Sequence, residues 1–455
     1  MNINGTFYNI LNNETVLLWA IGIIITVFLA VFAIILSIYL SRRTDKKIDA
    51  TKEELKETIR QVNVPDRPSV TDFIDGYPKL TEKTIHETFE LALKFRDQQE
   101  YDTAIKTLHT LLVYNPTKEQ HVAVLSLIGN TQYLQEDYLS AKKSQSEALE
   151  IASRIQNKIA ISVASGNLGV LCSLAGELNK AVEYYNKSLK IDHQLGNKLG
   201  EAANLGNIGN IYEQKGEPGK ALKYHKKSLK IHHQLGNKLG EAQNLLNIGI
   251  IYGHTNKPDK ALEYYNKSLE ITQQIGHKLG EAKNLGNIGI IYRQKGELDK
   301  ALEYHNKSLK IHGDIGNKLG EAADLANIGT IYGQKGEPDR ALEYFNKALV
   351  LHHQLGYKLG EAQNIGNIGN CYWGKDEPDK ALEYYNKSLE IAQQIGHKLG
   401  EAYQLTNIGI IYRQIGELDK ALGFLERSLK ISKTIKAEHL VRKTEMIIRD
   451  IKKNV

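Results

Sequence analysis

Residues 198–236, KLGEAANLGNIGNIYEQKGEPGKALKYHKKSLKIHHQLG, decide the fold. Apolar or small residues fall at Leu205, Ile208, Gly209 and Tyr212, spaced by three and four, so one face of a helix is buried. Gly216-Glu217-Pro218 then breaks the pattern, and Pro218 suits the first turn of a new helix, where its missing N–H costs nothing. A second stripe follows at Ala221, Leu222, His225, Ser228 and Leu229, and Gly236 ends it as a left-handed cap. The stretch is a helix–turn–helix. Small residues at Gly209, Ala221 and Ser228 let the backbones approach, and larger side chains there would overpack the contact.

This unit repeats. Asn-Ile-Gly begins at Asn207, Asn247, Asn287, Asn327, Asn367 and Asn407, always 40 residues apart, and Asn167-Leu168-Gly169 extends the series upstream. A strict period of this length specifies an all-α solenoid, in which each unit packs on its neighbours. Such a scaffold offers a long concave surface and no obvious catalytic pocket. Binding is therefore the first functional expectation.

The spacing small-x2-Tyr-x8-Ala-x3-aromatic-x2-small runs through Gly289, Tyr292, Ala301, His305 and Ser308, and again through Gly329, Tyr332, Ala341, Phe345 and Ala348. It resembles the tetratricopeptide repeat (TPR) motif. The 40-residue period exceeds the usual length of roughly 34, and in this the units are similar to the longer repeats of kinesin light chains and Leu-Gly-Asn-type polarity adaptors. Two looser units lie upstream, one with Ala92, Ala104 and Pro116, the other with Gly129, Tyr133, Ala141 and Ala148. That gives about nine repeats over residues 81–436. The resemblance implies a right-handed superhelix whose first helices line a concave groove. Residues 437–455 read as a C-terminal capping helix, because the small position of the register falls on Arg449.

Composition narrows the partners. The net charge is +6, but residues 1–80 are net zero and residues 431–455 carry +4, which leaves +2 for the 350 between. A nearly neutral solenoid lacks the footprint of a nucleic-acid binder. Cys172 and Cys371 have no metal-type neighbourhood and read as small buried residues.

The N-terminal segment is different in kind. Residues 16–40 (Val16–Leu40) contain no charge and as a helix would span about 37 Å, enough to cross a bilayer. Trp19 and Tyr39 sit near the ends, where amphipathic aromatics favour the interface. A cleaved signal peptide is the poorer reading, since no Lys or Arg precedes the run and no small-x-small site follows it. Only Glu14 precedes the span, whereas Arg42, Arg43, Lys46, Lys47 and Lys52 follow it. The positive-inside rule then puts residues 1–15 outside and the solenoid in the cytoplasm, in a single-pass membrane protein. Residues 41–80 read as a polar helix with a thin seam at Ile48, Leu55 and Val62, followed by a linker with three prolines.

Among the 15 histidines, those recurring at helix ends read as solvated residues near the negative end of a helix dipole. The adjacent pairs His232-His233 and His352-His353 diverge by about 100° on a helix and cannot share a metal. No catalytic cluster or phosphate loop is visible, so neither an enzyme nor a cofactor is expected. The candidate site is the asparagine series: Asn167, Asn207, Asn247, Asn287, Asn327, Asn367 and Asn407. Asparagine is a poor helix former, and its amide suits bonding another chain's backbone. In the kinesin-light-chain-like repeats the matching asparagines hold extended peptides, so the resemblance implies a ladder along the groove. The alternative is that they bond the next repeat's helix. Residues 261–300 and 381–420 differ at five of 40 positions, Lys283/Tyr403, Asn284/Gln404, Gly286/Thr406, Thr272/Ala392 and Lys295/Ile415. This suggests constant packing with a changed groove, and adds Lys283 and Tyr403 to the candidate groove. A basic clamp for acidic C-termini is absent, since its place holds Gly206, Leu246, Gly286, Ala326 and Gly366. The expectation is a membrane-anchored scaffold for a protein or peptide partner. The alternatives are a protein-targeting receptor, or an envelope-assembly factor that recruits an enzyme.

Overall fold

The computed structural model describes residues 83–113 and 116–453. The expected membrane span, polar helix and linker lie outside them. Among the described residues no helix is long and apolar enough to cross a membrane.

The described chain is helical throughout, with nineteen helices in sequence. They are α1 (Lys83–Asp97), α2 (Tyr101–Val113), α3 (Lys118–Leu134), α4 (Tyr138–Arg154), α5 (Lys158–Leu174), α6 (Leu178–Leu195), α7 (Lys198–Gln214), α8 (Pro218–Gln234), α9 (Lys238–His254) and α10 (Pro258–Gln274). The series continues with α11 (Lys278–Gln294), α12 (Leu298–Asp314), α13 (Lys318–Gln334), α14 (Pro338–Gln354), α15 (Lys358–Gly374), α16 (Pro378–Gln394), α17 (Lys398–Gln414), α18 (Leu418–Thr434) and α19 (Glu438–Lys453). Odd-numbered helices open each repeat and even-numbered helices close it, giving nine pairs and a final helix. The chain forms two compact units that divide between Ile271 and Thr272, inside α10.

The 40-residue period is two 17-residue helices and two three-residue turns. Both turns are closed by backbone bonds. Glu217 N–H donates to the Tyr212 carbonyl (2.8 Å) and Asn237 N–H to the His232 carbonyl (2.9 Å). Each bond requires a left-handed residue just before it, supplied by Gly216 (φ 69°) and Gly236 (φ 67°). The Asn237 side chain then accepts from Gly240 N–H at 2.9 Å and caps the next helix.

Within a repeat the two helices meet at a missing Cβ. One built on Gly209 would lie 2.8 Å from the His225 ring, one on Gly249 2.5 Å from Tyr265, and one on Gly369 2.7 Å from Tyr385. Beside that contact, Ser228 Oγ donates to the Ala202 carbonyl (2.7 Å), Ser268 Oγ to Ala242 (2.8 Å) and Ser388 Oγ to Ala362 (2.7 Å). The small residues thus serve both close approach and hydrogen bonding. On the rim, Tyr212 stacks on Tyr224 at 5.4 Å, and Tyr372 on Tyr384 at 5.2 Å.

Between repeats, the KLGE segment forms a polar joint. Glu241, 3% exposed, receives Lys238 Nζ at 2.9 Å and faces His233 Nδ1 of the preceding helix at 2.8 Å. Glu401 repeats this with Lys398 (2.8 Å) and Gln393 (3.3 Å). At the end of the second unit, Ile447, Ile448 and Ile451 of α19 pack on Ala421 and Leu425, while Arg442 and Arg449 face outward.

Gly249→Ala should cost about 1–3 kcal/mol by forcing Tyr265 aside. Gly333→Ala, on α13 with nothing within 4 Å of the new methyl, should be neutral or stabilise by roughly 0.5–1 kcal/mol. Urea unfolding of the two variants checks the contrast.

Candidate functional site: the inner stripe of the first helices

Successive first helices touch each other directly, as with α7 and α9 in the first unit and α13 and α15 in the second. The first helices therefore lie on the tighter side of each unit's stack. On each of them one stripe stays accessible between the buried residues. In the first unit it comprises Gln243, Asn247 and Ile250 on α9, and in the second unit Lys283, Asn287 and Ile290 on α11 and Ala323, Asn327 and Thr330 on α13. It continues as Gln363, Asn367 and Asn370 on α15, and Tyr403, Asn407 and Ile410 on α17. Steps of four and three keep these residues on one helical face. Lys283 and Tyr403 sit one turn before their asparagines, and Tyr403 is 41% exposed. Upstream the stripe is more covered, with Asn167 and Asn207 each 8% exposed.

The asparagines divide by what precedes them. Asn167 Nδ2 donates to Asn130 Oδ1 (3.1 Å) and Asn247 Nδ2 to Asn210 Oδ1 (3.2 Å), in both cases on the preceding first helix. The receiving position, 37 residues earlier, holds Val170, Ile250, Ile290 and Thr330 in front of Asn207, Asn287, Asn327 and Asn367. No amide is there to receive a bond, whereas in front of Asn407 the position holds Asn370, whose Oδ1 is taken by Tyr385 Oη. Asn367 instead accepts from Asn370 of its own helix at 3.5 Å, and Asn370 also accepts from Tyr385 Oη at 2.7 Å. Among the described residues, the side chains of Asn207, Asn287, Asn327 and Asn407 make no hydrogen bond. Two members of the series thus tie repeats together, Asn287, Asn327 and Asn407 present unbonded amides on the accessible stripe, and Asn207 is buried.

A second polar row, three residues before the first, escaped the sequence reading. Asn204, Asn244, Asn284, Asp324 and Asn364 are all at most 5% exposed. They face the preceding second helix. Asn204 Nδ2 donates to Ser188 Oγ (2.9 Å) and Asp192 Oδ2 (2.8 Å), and Asn244 Oδ1 meets His225 Nδ1 at 3.2 Å. Asp324 Oδ1 meets His305 Nδ1 at 2.9 Å, and Asn364 Nδ2 meets His352 Nδ1 at 2.7 Å. Its signal was present in the sequence as a polar residue recurring every 40 positions on the buried face.

Two expectations are corrected. His232, His312 and His352 are not solvated but 5% exposed, because their rings lie over Gly240, Gly320 and Gly360 of the next helix. Nor is packing constant between residues 261–300 and 381–420. Thr272, Asn284, Ala392 and Thr406 are buried, and only Lys283/Tyr403 lies on the accessible stripe. Both cysteines are buried, and burial pushes the Cys371 thiol up to about 11. Among the described residues no three or more His, Cys, Asp or Glu side chains are grouped to hold a metal.

With the repeat geometry in place, the chain can be set against known proteins. A family profile for the tetratricopeptide repeat matches residues 120–194, 200–274, 280–351 and 359–434. The chain belongs to the tetratricopeptide repeat family. No curated protein matches its sequence. Solved structures match its fold. The apo quorum sensor NprR from B. thuringiensis aligns over 77% of this chain and 99% of its own, at 13% identity and a TM-score of 0.56. A Rap protein complexed with competence and sporulation factor aligns over 77% and 98%, at 14% identity and 0.52. A signal-transduction ATPase with a tetratricopeptide repeat sensor, from Pyrococcus horikoshii, aligns over 90% of this chain and 66% of its own, at 14% identity and 0.56. At these identities the likeness is one of fold.

The buried histidines give this TPR protein an acid sensitivity. Burial pushes His225 and His232 down to about 4. An unfolded histidine titrates near ~6.5, so between these values the unfolded chain binds more protons. The stability this represents is intact above about pH 6.5 and is lost as the pH falls toward 4. Asp192 acts in the opposite sense. Burial raises it to about 6 against the pull of its Ser162 and Asn197 hydrogen bonds, so its cost is present above pH 6 and fades toward 4. His225→Phe, which copies Phe345 at the equivalent place, should reduce the acid-side loss by about 2–3 kcal/mol at pH 4. Thermal melting at pH 7 and 4.5 reads the difference.

Proposed function

We propose that this protein is a membrane-tethered TPR scaffold that binds an extended protein or peptide segment along the inner stripe of its first helices. The carrying observation is the form of the stripe. A constant amide, Asn287, Asn327 or Asn407, is flanked by residues that change from repeat to repeat: Lys283 and Ile290, Ala323 and Thr330, Tyr403 and Ile410. A fixed amide suits a ligand backbone, which repeats regardless of sequence, and the changing neighbours suit its side chains. A fold-level likeness supports the reading, since the Rap protein is solved in complex with competence and sporulation factor and NprR is a quorum sensor. The tether is Val16–Leu40, and the basic residues that follow it put the repeats on the cytoplasmic side.

Two experiments test this reading. Asn287→Ala, Asn327→Ala and Asn407→Ala together should release a partner captured by the wild type, by about 10- to 1000-fold in affinity at roughly 0.5–1.5 kcal/mol per bond, with an unchanged melting temperature. Asn167→Ala with Asn247→Ala should lower the melting temperature instead, because those amides join repeats. Unchanged affinity in the triple variant removes the groove assignment. For the topology, a cysteine placed in residues 2–12 should react with an impermeant thiol reagent on intact cells, whereas one near residue 70 should not. The reverse pattern inverts the orientation.

A further inference from the structure

The outer face of α8 departs from the rest of the array. Its sequence, PGKALKYHKKSLKIHHQ, holds five lysines and no carboxylate. In α6, α10, α12, α14 and α16 the position of Lys223 is a glutamate: Glu183, Glu263, Glu303, Glu343 and Glu383. Four of these pair with the lysine one turn on, Glu263 with Lys267 (2.6 Å), Glu303 with Lys307 (2.6 Å), Glu343 with Lys347 (2.6 Å) and Glu383 with Lys387 (2.5 Å). In α8 that pair is Lys223 with Lys227, a like-charge contact that weakens a helix. Lys226 likewise stands where the same five helices have asparagine. Lys223, Lys226, Lys227 and Lys230 are all exposed, and their spacing of three, four and seven makes one cationic face.

Among the described residues no carboxylate pairs with these four lysines. Glu217 is engaged by Lys220 at 2.6 Å, Glu241 by Lys238 at 2.9 Å, and Glu213 faces His254 at 3.4 Å. The buried side of α8, with Ala221, His225 and Ser228, packs toward α7 and α9, so the lysines point away from the inner stripe. A row of four exposed lysines on one helical face suits a laterally continuous negative surface.

We propose that the α8 face docks on the anionic headgroups of the bilayer that holds the chain. This deepens the proposed tethering and rests on it. The cytoplasmic leaflet is the negatively charged one, and the basic flank after Leu40 directs the repeats to that side. The tether keeps α8 at high local concentration near the surface. Docking through α8 leaves the first-helix stripe open to its partner.

The full chain is tested with vesicles of phosphatidylcholine alone, or with added phosphatidylserine, by flotation and by lysine acylation read by mass spectrometry. Anchoring predicts flotation with both lipids at high salt. Docking predicts that Lys223, Lys226, Lys227 and Lys230 are shielded from acylation only with phosphatidylserine and only at low salt, while Lys267 and Lys307 stay reactive. Lys223→Glu with Lys226→Asn, which restores the pattern of the other repeats, should abolish the shielding of Lys227 and Lys230. At about fivefold per lysine, the docked population should fall at least about 25-fold. Flotation with both lipids but no shielding overturns docking and leaves the anchor standing. Flotation and shielding only with phosphatidylserine at low salt leaves docking standing and removes the anchor. Shielding with phosphatidylcholine alone, or only after addition of poly-glutamate, also overturns docking, the latter in favour of an acidic protein partner.

Discussion

The structure depends on the absence of one Cβ per repeat. At Gly209, Gly249, Gly289, Gly369 and Gly409 the second helix lays a side chain, from His225, Tyr265, His305, Tyr385 and Leu425, directly on the backbone of the first. That contact sets how closely the two helices approach. It also brings Ser228 and its equivalents within reach of a carbonyl on the first helix. Once the pair is fixed, the buried face of the next first helix meets a defined surface, and its Asn244 or Asp324 finds the histidine it bonds. Repetition of one local solution replaces a single large core.

Such an array separates packing from function. Inward residues recur almost without change, because each must fit the same neighbours. Departures from the pattern are then informative. The inner stripe varies on both sides of a constant asparagine, which is how a surface reads side chains while holding a backbone. The outer face of α8 varies by losing its carboxylates, which leaves Lys223 and Lys227 as a like-charge pair one turn apart. Both departures lie on accessible surface, one on first helices and the other on a second helix.

The fold was legible in residues 198–236, because steps of three and four, punctuated by Gly216-Glu217-Pro218 and Gly236, admit one local structure. The turns, the caps and the small-residue contacts all followed from it. The candidate site was legible only in part. Asn167 and Asn247 bond an asparagine 37 positions earlier, but Asn407 does not bond Asn370, whose oxygen Tyr385 takes, and such pairings appear only when the helices are laid side by side. His232 looked solvated because it stands in the last turn of a helix, yet Gly240 in the first turn of the next helix lies against its ring. The buried row at Asn204 and Asn244 was visible as a period but not as a role, since its partners sit on the preceding second helix.

The central claim is that a partner occupies the inner stripe of the first helices. A photo-crosslinking amino acid at Ala323, exposed on the stripe of α13, and another at Asn346, exposed on α14, test it most directly in cells. Binding along the stripe predicts that a partner is crosslinked from position 323 and not from position 346. Crosslinking from position 346 alone would contradict it and move the partner to the second helices.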